Sequence, residues 1–403
     1  MKFAHFADCH IGGWKEEKLK KLNMQCFKEA IKLIIQKEVD FVLMAGDLFN
    51  TALPQIDYIK EVTVELKRLK DNNIPFYAIA GSHDYSPSGK TMLDVLEKAG
   101  LLINVMQFNE DGELLFTQDP KTKAKITGMI GKKGGLEIQD YKLLDTSRLE
   151  QEEGFKIFMF HTAINEFKPK GMELMTGADV ASLPNKFHYY AGGHVHYIFK
   201  KEFGEGFLTY PGALFPNNFK EMEEWKHGGV YFVDEHVDCE YVPIKLKDVA
   251  TFNIDVSGLT PEKVTETIIQ HVKIRDTKDK IVTLRIKGDI EGKTSDVNFY
   301  EVMQYLEEAY FVLRNTAKLR SKTLDQVGER DGTVEEIETE IMKEATSEIS
   351  LKETREQEEL FTKALIQVLD EERGEGEKVM DFEMRLVSEA MKVLEIENKQ
   401  SNP

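Results

Sequence analysis

The chain has 403 residues and is 41% apolar, which points to a folded, soluble protein of two or three domains. No run of about 18 apolar residues occurs, which excludes a membrane-spanning helix. The net charge of −18 argues at first against a polyanionic partner. The charge is unevenly spread, however. From Thr333 onward there are twenty Asp and Glu against nine Lys and Arg, a net of −11, and the 332 residues before carry −7. The acidic tail is a separate object from a mildly acidic body. Asp8 and His10 interrupt the first apolar stretch too early for a signal peptide, so the expected location is cytoplasmic. Three cysteines, Cys9, Cys26 and Cys239, fit no paired framework and are expected to be reduced thiols.

In chain order, "KFAHFAD" (2–8) reads as a strand. "MQCFKEAIKLIIQKE" (24–38) carries Phe27, Ile31, Ile34 and Ile35 at helical spacing. "VDFVLMAGD" (39–47) is a buried strand, 55–73 an amphipathic helix, 74–81 another buried strand, and 88–100 a short helix closing on Gly100. This βαβαβα order predicts a parallel sheet covered on both faces. The chain then becomes β-rich up to about residue 245. Its strand candidates are "GELLFTQ", "KAKITGMIG", "FKIFMFHTAI", "FHYYAGGHVH", "GFLTYPG" and "GGVYFVD", which suit a second sheet packed on the first.

A new unit begins near 248. It reads strand, helix with Thr260 as cap and Pro261 in the first turn, strand, helix, strand. The expected domains are therefore 1–247, a small α/β unit at 248–322, a charged linker at 323–355 and a helical segment at 356–403. Within the last, 356–373 and 378–396 read as helices. Leu365 and Val368 in the first, and Phe382, Leu386, Ala390 and Val393 in the second, form apolar stripes that call for a partner surface.

Five of the ten histidines, His10, His83, His161, His194 and His196, fall at or just beyond the C-terminal ends of predicted strands. Asp8, Asp47 and Ser82 fall on the same edge, where sites assemble in open α/β sheets. Each block alone has an ordinary explanation, such as a polar turn at Asp8–His10 or a satisfied core histidine at His161. The shared edge is what points to a metal centre. Alternation along a strand would set His194 and His196 on one side. Imidazole with carboxylate suits Mn²⁺, Fe²⁺ or Zn²⁺. Two such ions roughly 3.5–4 Å apart activate a water and hold both the attacked phosphorus and the leaving oxygen. Asp47 lies mid-set in sequence, and His83 has an imidazole suited to protonating a leaving alkoxide.

In order, D-x-H at 8–10, "GDLFN" at 46–50, "GSHD" at 81–84, the lone His161 and "GHVH" at 193–196 resemble the calcineurin-like metallophosphoesterases. More narrowly they resemble the archaeal double-strand-break repair nucleases of the meiotic-recombination-eleven type, called SbcD in bacteria. The resemblance implies a two-sheet sandwich flanked by helices, with a small α/β capping domain that guides DNA and a helical C-terminal tail. It implies that Asp8, His10 and His196 hold one metal, that His161 and His194 hold the other, and that Asp47 bridges. The two ions would most often be manganese. His83 would be the acid or phosphate-orienting residue, with Asn50 and Asp84 beside it. The helices at 55–73 and 88–100 would form a homodimer contact, and the tail would dock on a coiled-coil ABC-type ATPase of the Rad-fifty or SbcC type.

Ser82 departs from the asparagine usual in that family. A hydroxyl is a weaker, shorter ligand, so the second metal is expected to be reached by a backbone shift, to take a water instead, or to bind weakly. Lys132, Lys133, Lys168, Lys170 and Lys220 are candidate DNA contacts, all to phosphate. The expected activity is exonuclease plus single-strand endonuclease. The competing expectations are a phosphoesterase acting on small or other substrates, and a DNA-end-binding scaffold whose catalysis has weakened at Ser82.

Overall fold

A computed structural model describes residues 1–86, 90–169, 172, 175–322, 364–365, 368 and 379–393. Residues 1–322 form one contact unit and 323–403 a second.

The strands are β1 (Lys2–Phe6), β2 (Phe41–Ala45), β3 (Phe76–Ile79), β4 (Ile103–Asn104), β5 (Gln107–Phe108), β6 (Leu114–Leu115), β7 (Thr117–Gln118), β8 (Lys125–Met129), β9 (Lys156–His161), β10 (Tyr189–Gly193), β11 (Ile198–Phe203), β12 (Gly206–Pro211), β13 (Gly229–Asp234), β14 (Cys239–Pro243), β15 (Val249–Asp255), β16 (Ile281–Ile290) and β17 (Phe311–Ser321). The helices are α1 (Glu17–Gln36), α2 (Ile56–Asp71), α3 (Met92–Lys98), α4 (Glu137–Leu143), α5 (Ser147–Gln151), α6 (Phe219–Glu224), α7 (Pro261–Lys273), α8 (Phe299–Gln304) and α9 (Val379–Val393).

Two six-stranded sheets run β14-β13-β1-β2-β3-β4 and β11-β12-β10-β9-β8-β7. In the first, β1 to β4 are parallel, as the βαβαβα order predicts. The strand "GGVYFVD" does not join the second sheet as expected. It returns as β13 to pair antiparallel with β1, and this extends the first sheet past its N-terminal strand. "GELLFTQ" is split: Leu114–Leu115 pairs with β5 and Thr117–Gln118 with β8.

Alternation in the strands sorts the core into layers. Ala4 and Phe6 face outward with Phe27, Ile31, Val62 and Leu66 of α1 and α2. Phe3, Phe41, Leu43 and Tyr77 face inward against Ile157, Met159 and Tyr189 of the second sheet. A third cluster lies around Phe158, Phe160, Tyr190 and Tyr210 on the far face. The sandwich is thus held by burial on both sides of each sheet, the dominant favourable contribution to folding.

Helix α1 starts seven residues before the expected Met24. Leu19 and Leu22 extend the buried stripe of Cys26 and Phe27, a signal obscured by three lysines between positions 18 and 21. Helix α3 starts at Met92, because Thr91 and Asp94 close a reciprocal capping box there.

The segment 248–322 is a parallel sheet β15-β16-β17 under α7 and α8, with its own core of Phe252, Ile254, Val264, Ile268, Leu284 and Val302. Ile281 belongs to the first-sheet core, so this unit is anchored to the sandwich. In the tail, α9 is formed and Phe382, Leu386, Ala390 and Val393 are half-buried, as are Leu365 and Val368. The charged segment 323–355 and the rest of 356–373 lie outside the described residues. Cys9 and Cys26 are buried free thiols, and Cys239 is a half-buried one.

Candidate metal centre

The candidate residues gather where β1, β2, β9 and β10 end. The loop after β1 is stitched to the loop after β2 by backbone bonds from Asp8 N to Gly46 O (3.0 Å) and from His10 N to Asp47 O (3.0 Å). Four of the candidate ligands, Asp8 (φ 52°), His10 (φ 42°), Asp47 (φ 57°) and His194 (φ 85°), occupy the left-handed backbone region. Non-glycine residues there cost on the order of 1–3 kcal/mol each and persist only where their surroundings over-determine them.

Strand β10 ends at Gly193, so His194 and His196 are not on a strand as expected. They reach the centre from a turn in which His194 N–H donates to both Asp8 carboxylate oxygens, at 3.0 and 3.1 Å. The turn, rather than strand alternation, aims the two rings.

Five ligand atoms form a closed ring. His196 Nε2 lies 3.8 Å from Asp8 Oδ1, which lies 4.0 Å from His161 Nε2. His161 Nε2 lies 3.2 Å from Asp47 Oδ2, and Asp47 Oδ2 lies 3.6 Å from His10 Nε2. His10 Nε2 and His196 Nε2 close the ring at 3.0 Å. Asp8, His10, Asp47 and His161 are all buried. Three overlapping groups fit a cation: Asp8 with His10 and His196, His10 with Asp47 and His83, and Asp8 with Asp47 and His161. Asp8, Asp47 and His10 each belong to two of these groups, as bridging or neighbouring ligands of adjacent cations do. His194 stacks edge-on to His161 with centroids 5.2 Å apart.

The outer hydrogen bonds fix which nitrogen faces inward. His161 Nδ1 meets Ala45 O at 2.7 Å, which leaves Nε2 toward Asp47 and buried without a hydrogen-bond partner. His196 Nδ1 meets Glu221 Oε1 at 2.8 Å. Such outer partners set tautomer and ring orientation at metal sites. A buried imidazole nitrogen without a partner, aimed between two carboxylates, is what a divalent cation would satisfy. The donor set therefore fits the metals that the sequence motifs imply.

The charges are tightly interdependent. Burial raises the Asp8 carboxyl to about 6. Burial also opposes ionisation of Asp47, but His161, His10 and His83 outweigh it and hold that carboxyl below its usual range. Burial opposes charge on His161, yet Asp47 and Asp8 raise it to about 9. Burial is likewise outweighed at His196, where Glu221 and Asp8 raise the imidazole to about 9. His10 and His194, dominated by burial, fall to about 3. The neighbouring carboxylates thus favour positive charge on His161 and His196, the charge that cations would supply beside Asp8 and Asp47.

Ser82 Oγ donates to Asp47 Oδ2 at 3.4 Å, and the next amide, His83 N–H, donates to Asp47 Oδ1 at 2.7 Å. The "GSHD" turn therefore wraps the central carboxylate. His83 Nδ1 meets the backbone carbonyl of Asn50 at 2.9 Å, leaving Nε2 for the site. The ring of His83 packs on His10 at 4.6 Å. Asn50 thus meets His83 through its backbone.

Asp84 is buried and faces away from the ligand ring. It accepts from Leu48 N (3.1 Å), Phe49 N (3.0 Å) and Gly81 N (3.2 Å). In this position it clamps the β2 and β3 loops together.

Among the lysines, Lys132 pairs with Asp140 at 2.5 Å and Lys168 folds onto Asn165 at 2.6 Å. Lys220 lies 4.0 Å from Glu224 on α6 and is exposed. Lys133 is exposed, and Lys170 lies outside the described residues. The sequence reading missed Glu221. Its only signal is N-x-x-E at 218–221, a helix-start signature with nothing to link it to a histidine 25 residues earlier.

Residues 1–197 match the calcineurin-like phosphoesterase family. Among curated proteins, the chain is 29% identical over 318 residues to the DNA double-strand break repair protein Mre11 of Methanocaldococcus jannaschii, covering 71% of this chain and 80% of that one. It is 29% identical to the Methanococcus maripaludis protein of the same name, covering 63% and 68%. It is 27% identical over 388 residues to that of Archaeoglobus fulgidus, covering 93% and 81%.

Proposed function

We propose, from the premise that this chain belongs to the calcineurin-like phosphoesterases through residues 1–197, that it is a metal-dependent DNA nuclease of double-strand-break repair. The observation that carries this reading is the closed ring of five ligand atoms from Asp8, His10, Asp47, His161 and His196. The likeness to the Mre11 proteins extends well past residue 197, to 93% of the chain in one case. A phosphatase acting on small esters has no need of that further length.

Asp8, His10 and His196 would hold one cation, His161 and His194 the other, with Asp47 between them and manganese the metal used. Two such cations supply a Lewis-acid clamp on the phosphoryl group and a water acidic enough to attack it near neutral pH. The chain's own residues do the rest. Asn50 O fixes the His83 ring so that Nε2 is free to hold the phosphate or protonate the leaving alkoxide. The His83 amide and the Ser82 hydroxyl on Asp47 keep its carboxylate oriented. Ser82, turned onto Asp47, supports the reading in which a water completes the second site.

The unit at 248–322 is proposed as the capping domain that guides DNA, with Lys133 and Lys220 as phosphate contacts at the sandwich. Ile56 and Val64 of α2 and Val95 of α3 are exposed and apolar, which supports a homodimer contact there. The stripe Phe382, Leu386, Ala390 and Val393 supports docking on a coiled-coil ABC-type ATPase, and the proposed location is cytoplasmic.

The test is cleavage by the purified chain with Mn²⁺, on linear duplex DNA, on single-stranded circles and on a small aryl phosphodiester. Degradation of both DNAs, abolished by chelator, is the expected result. Hydrolysis of the small ester alone would replace the nuclease reading with a small-substrate phosphoesterase. DNA binding with one tightly held ion per chain and no hydrolysis would replace it with a scaffold weakened at Ser82.

A further inference from the structure

Helix α6 stands between the metal centre and the three-stranded unit, and it grips both. Toward the centre, Glu221 Oε1 accepts from His196 Nδ1 at 2.8 Å, and the pair is largely buried. The same carboxylate is held in place by Asn217 N–H at 2.8 Å and by the Asn218 side-chain amide. It is therefore pre-aimed at the imidazole. Toward the three-stranded unit, Glu223 receives a bidentate grip from Arg285 of β16. Nε lies at 3.1 and 3.0 Å from the two oxygens and Nη2 at 2.7 Å from Oε2. The Arg285 guanidinium also lies 4.8 Å above the Phe219 ring at the start of the same helix. Arg285 sits where the pairing of β16 with β17 slips by one residue, the kind of irregularity that re-aims a side chain. Met222, between the two glutamates, is fully buried and prevents the helix from rolling without disturbing the core.

We infer that Glu221 is a positioning residue for His196 and that α6, locked by Glu223 to Arg285, couples the three-stranded unit to the metal centre. This rests on the metal-centre reading above. His196 Nε2 faces its ligand neighbours only while Nδ1 is held. That hold lies only two residues along a short helix from a bidentate ion pair with the three-stranded unit. A shift of β15-β16-β17 relative to the sandwich would therefore move His196 in preference to the other five ligands.

The experiment is Mn²⁺ titration calorimetry on the full chain and on Glu221→Ala, Glu221→Gln, Arg285→Ala and the double variant Glu221→Ala with Arg285→Ala. Thermal melting without metal is measured in parallel. Glu221→Ala is expected to weaken binding of one ion 10–100-fold, the range for loss of an outer carboxylate, and Glu221→Gln to recover part of it by keeping a neutral acceptor. Arg285→Ala, which touches no ligand, is expected to weaken the same ion several-fold. The double variant should lose less than the product of the two effects.

Parent-like affinity in Glu221→Ala with a lowered melting temperature would reduce Glu221 to a helix-capping role and overturn the inference. Parent-like affinity in Arg285→Ala, or a fully multiplicative double variant, would overturn the coupling. If the parent itself binds no divalent metal, the metal-centre reading has failed instead.

Discussion

Gly46→Ala probes the construction of the centre without replacing a ligand. Gly46 has φ +92°, and a Cβ there would stand 2.2 Å from His161 Nδ1, 2.7 Å from His161 Cγ and 2.9 Å from Gly81 Cα. The left-handed backbone alone costs about 1–2 kcal/mol for a side-chain-bearing residue. To reach an ordinary contact distance, His161 must retreat by about 1 Å, which breaks the 2.7 Å bond to Ala45 O. That leaves a buried carbonyl unsatisfied at a further 1–3 kcal/mol or so. The summed destabilisation is about 2–5 kcal/mol.

Because the same bond fixes which His161 nitrogen faces Asp47, metal affinity should fall about 10–100-fold as well. Gly112→Ala is the control. Its φ is +78°, yet nothing lies within 4 Å of the added Cβ, so it should show only the backbone cost and parent-like metal affinity. Chemical denaturation and metal titration on both variants measure the two quantities. A Gly46→Ala protein no less stable than Gly112→Ala, with parent-like metal affinity, would refute the packing account of His161.

Replacing Asp84 by Ala strands three amides, on Leu48, Phe49 and Gly81. It should cost about 3 kcal/mol or more, and a loss below about 0.5 kcal/mol in urea unfolding would contradict its role as the loop clamp. Ser82→Asn offers a carbonyl ligand and should raise metal affinity or Mn²⁺-dependent activity; no change in either would mean the serine or a water already completes the site. Metal binding should release protons, because His161 and His196 sit at about 9 in the metal-free chain and must be neutral to ligate. Affinity should therefore rise with pH from about 7 through about 9, and calorimetry in buffers of different ionisation enthalpy should report up to two protons released per chain. A pH-independent affinity over that window would contradict the assignment.

Much of the centre was legible because its chemistry is local in sequence. Asp8 and His10, Asp47, the 81–84 turn, His161 and His194 with His196 each sit where an apolar run stops, and parallel strands bring such stops to one edge. Where sequence reasoning fell short, the contacts were long-range or depended on backbone handedness. β13 crosses to the first sheet because its partner is β1, more than 200 residues earlier, and no local pattern encodes that pairing. The turn that aims His194 depends on a left-handed residue tied to Asp8. Glu221 and Arg285 acquire meaning only once α6 is placed between two units. Asp84 and the Asn50 carbonyl show the same limit: the sequence puts them near His83, but only the fold shows that one clamps loops and the other orients a ring.

The most direct test of the central claim is anomalous scattering from a crystal of this chain grown with Mn²⁺. The account predicts two peaks roughly 3.5–4 Å apart on either side of Asp47, one bounded by Asp8, His10 and His196 and the other by His161 and His194. A single peak, or none within the five-atom ring, would contradict a two-metal centre.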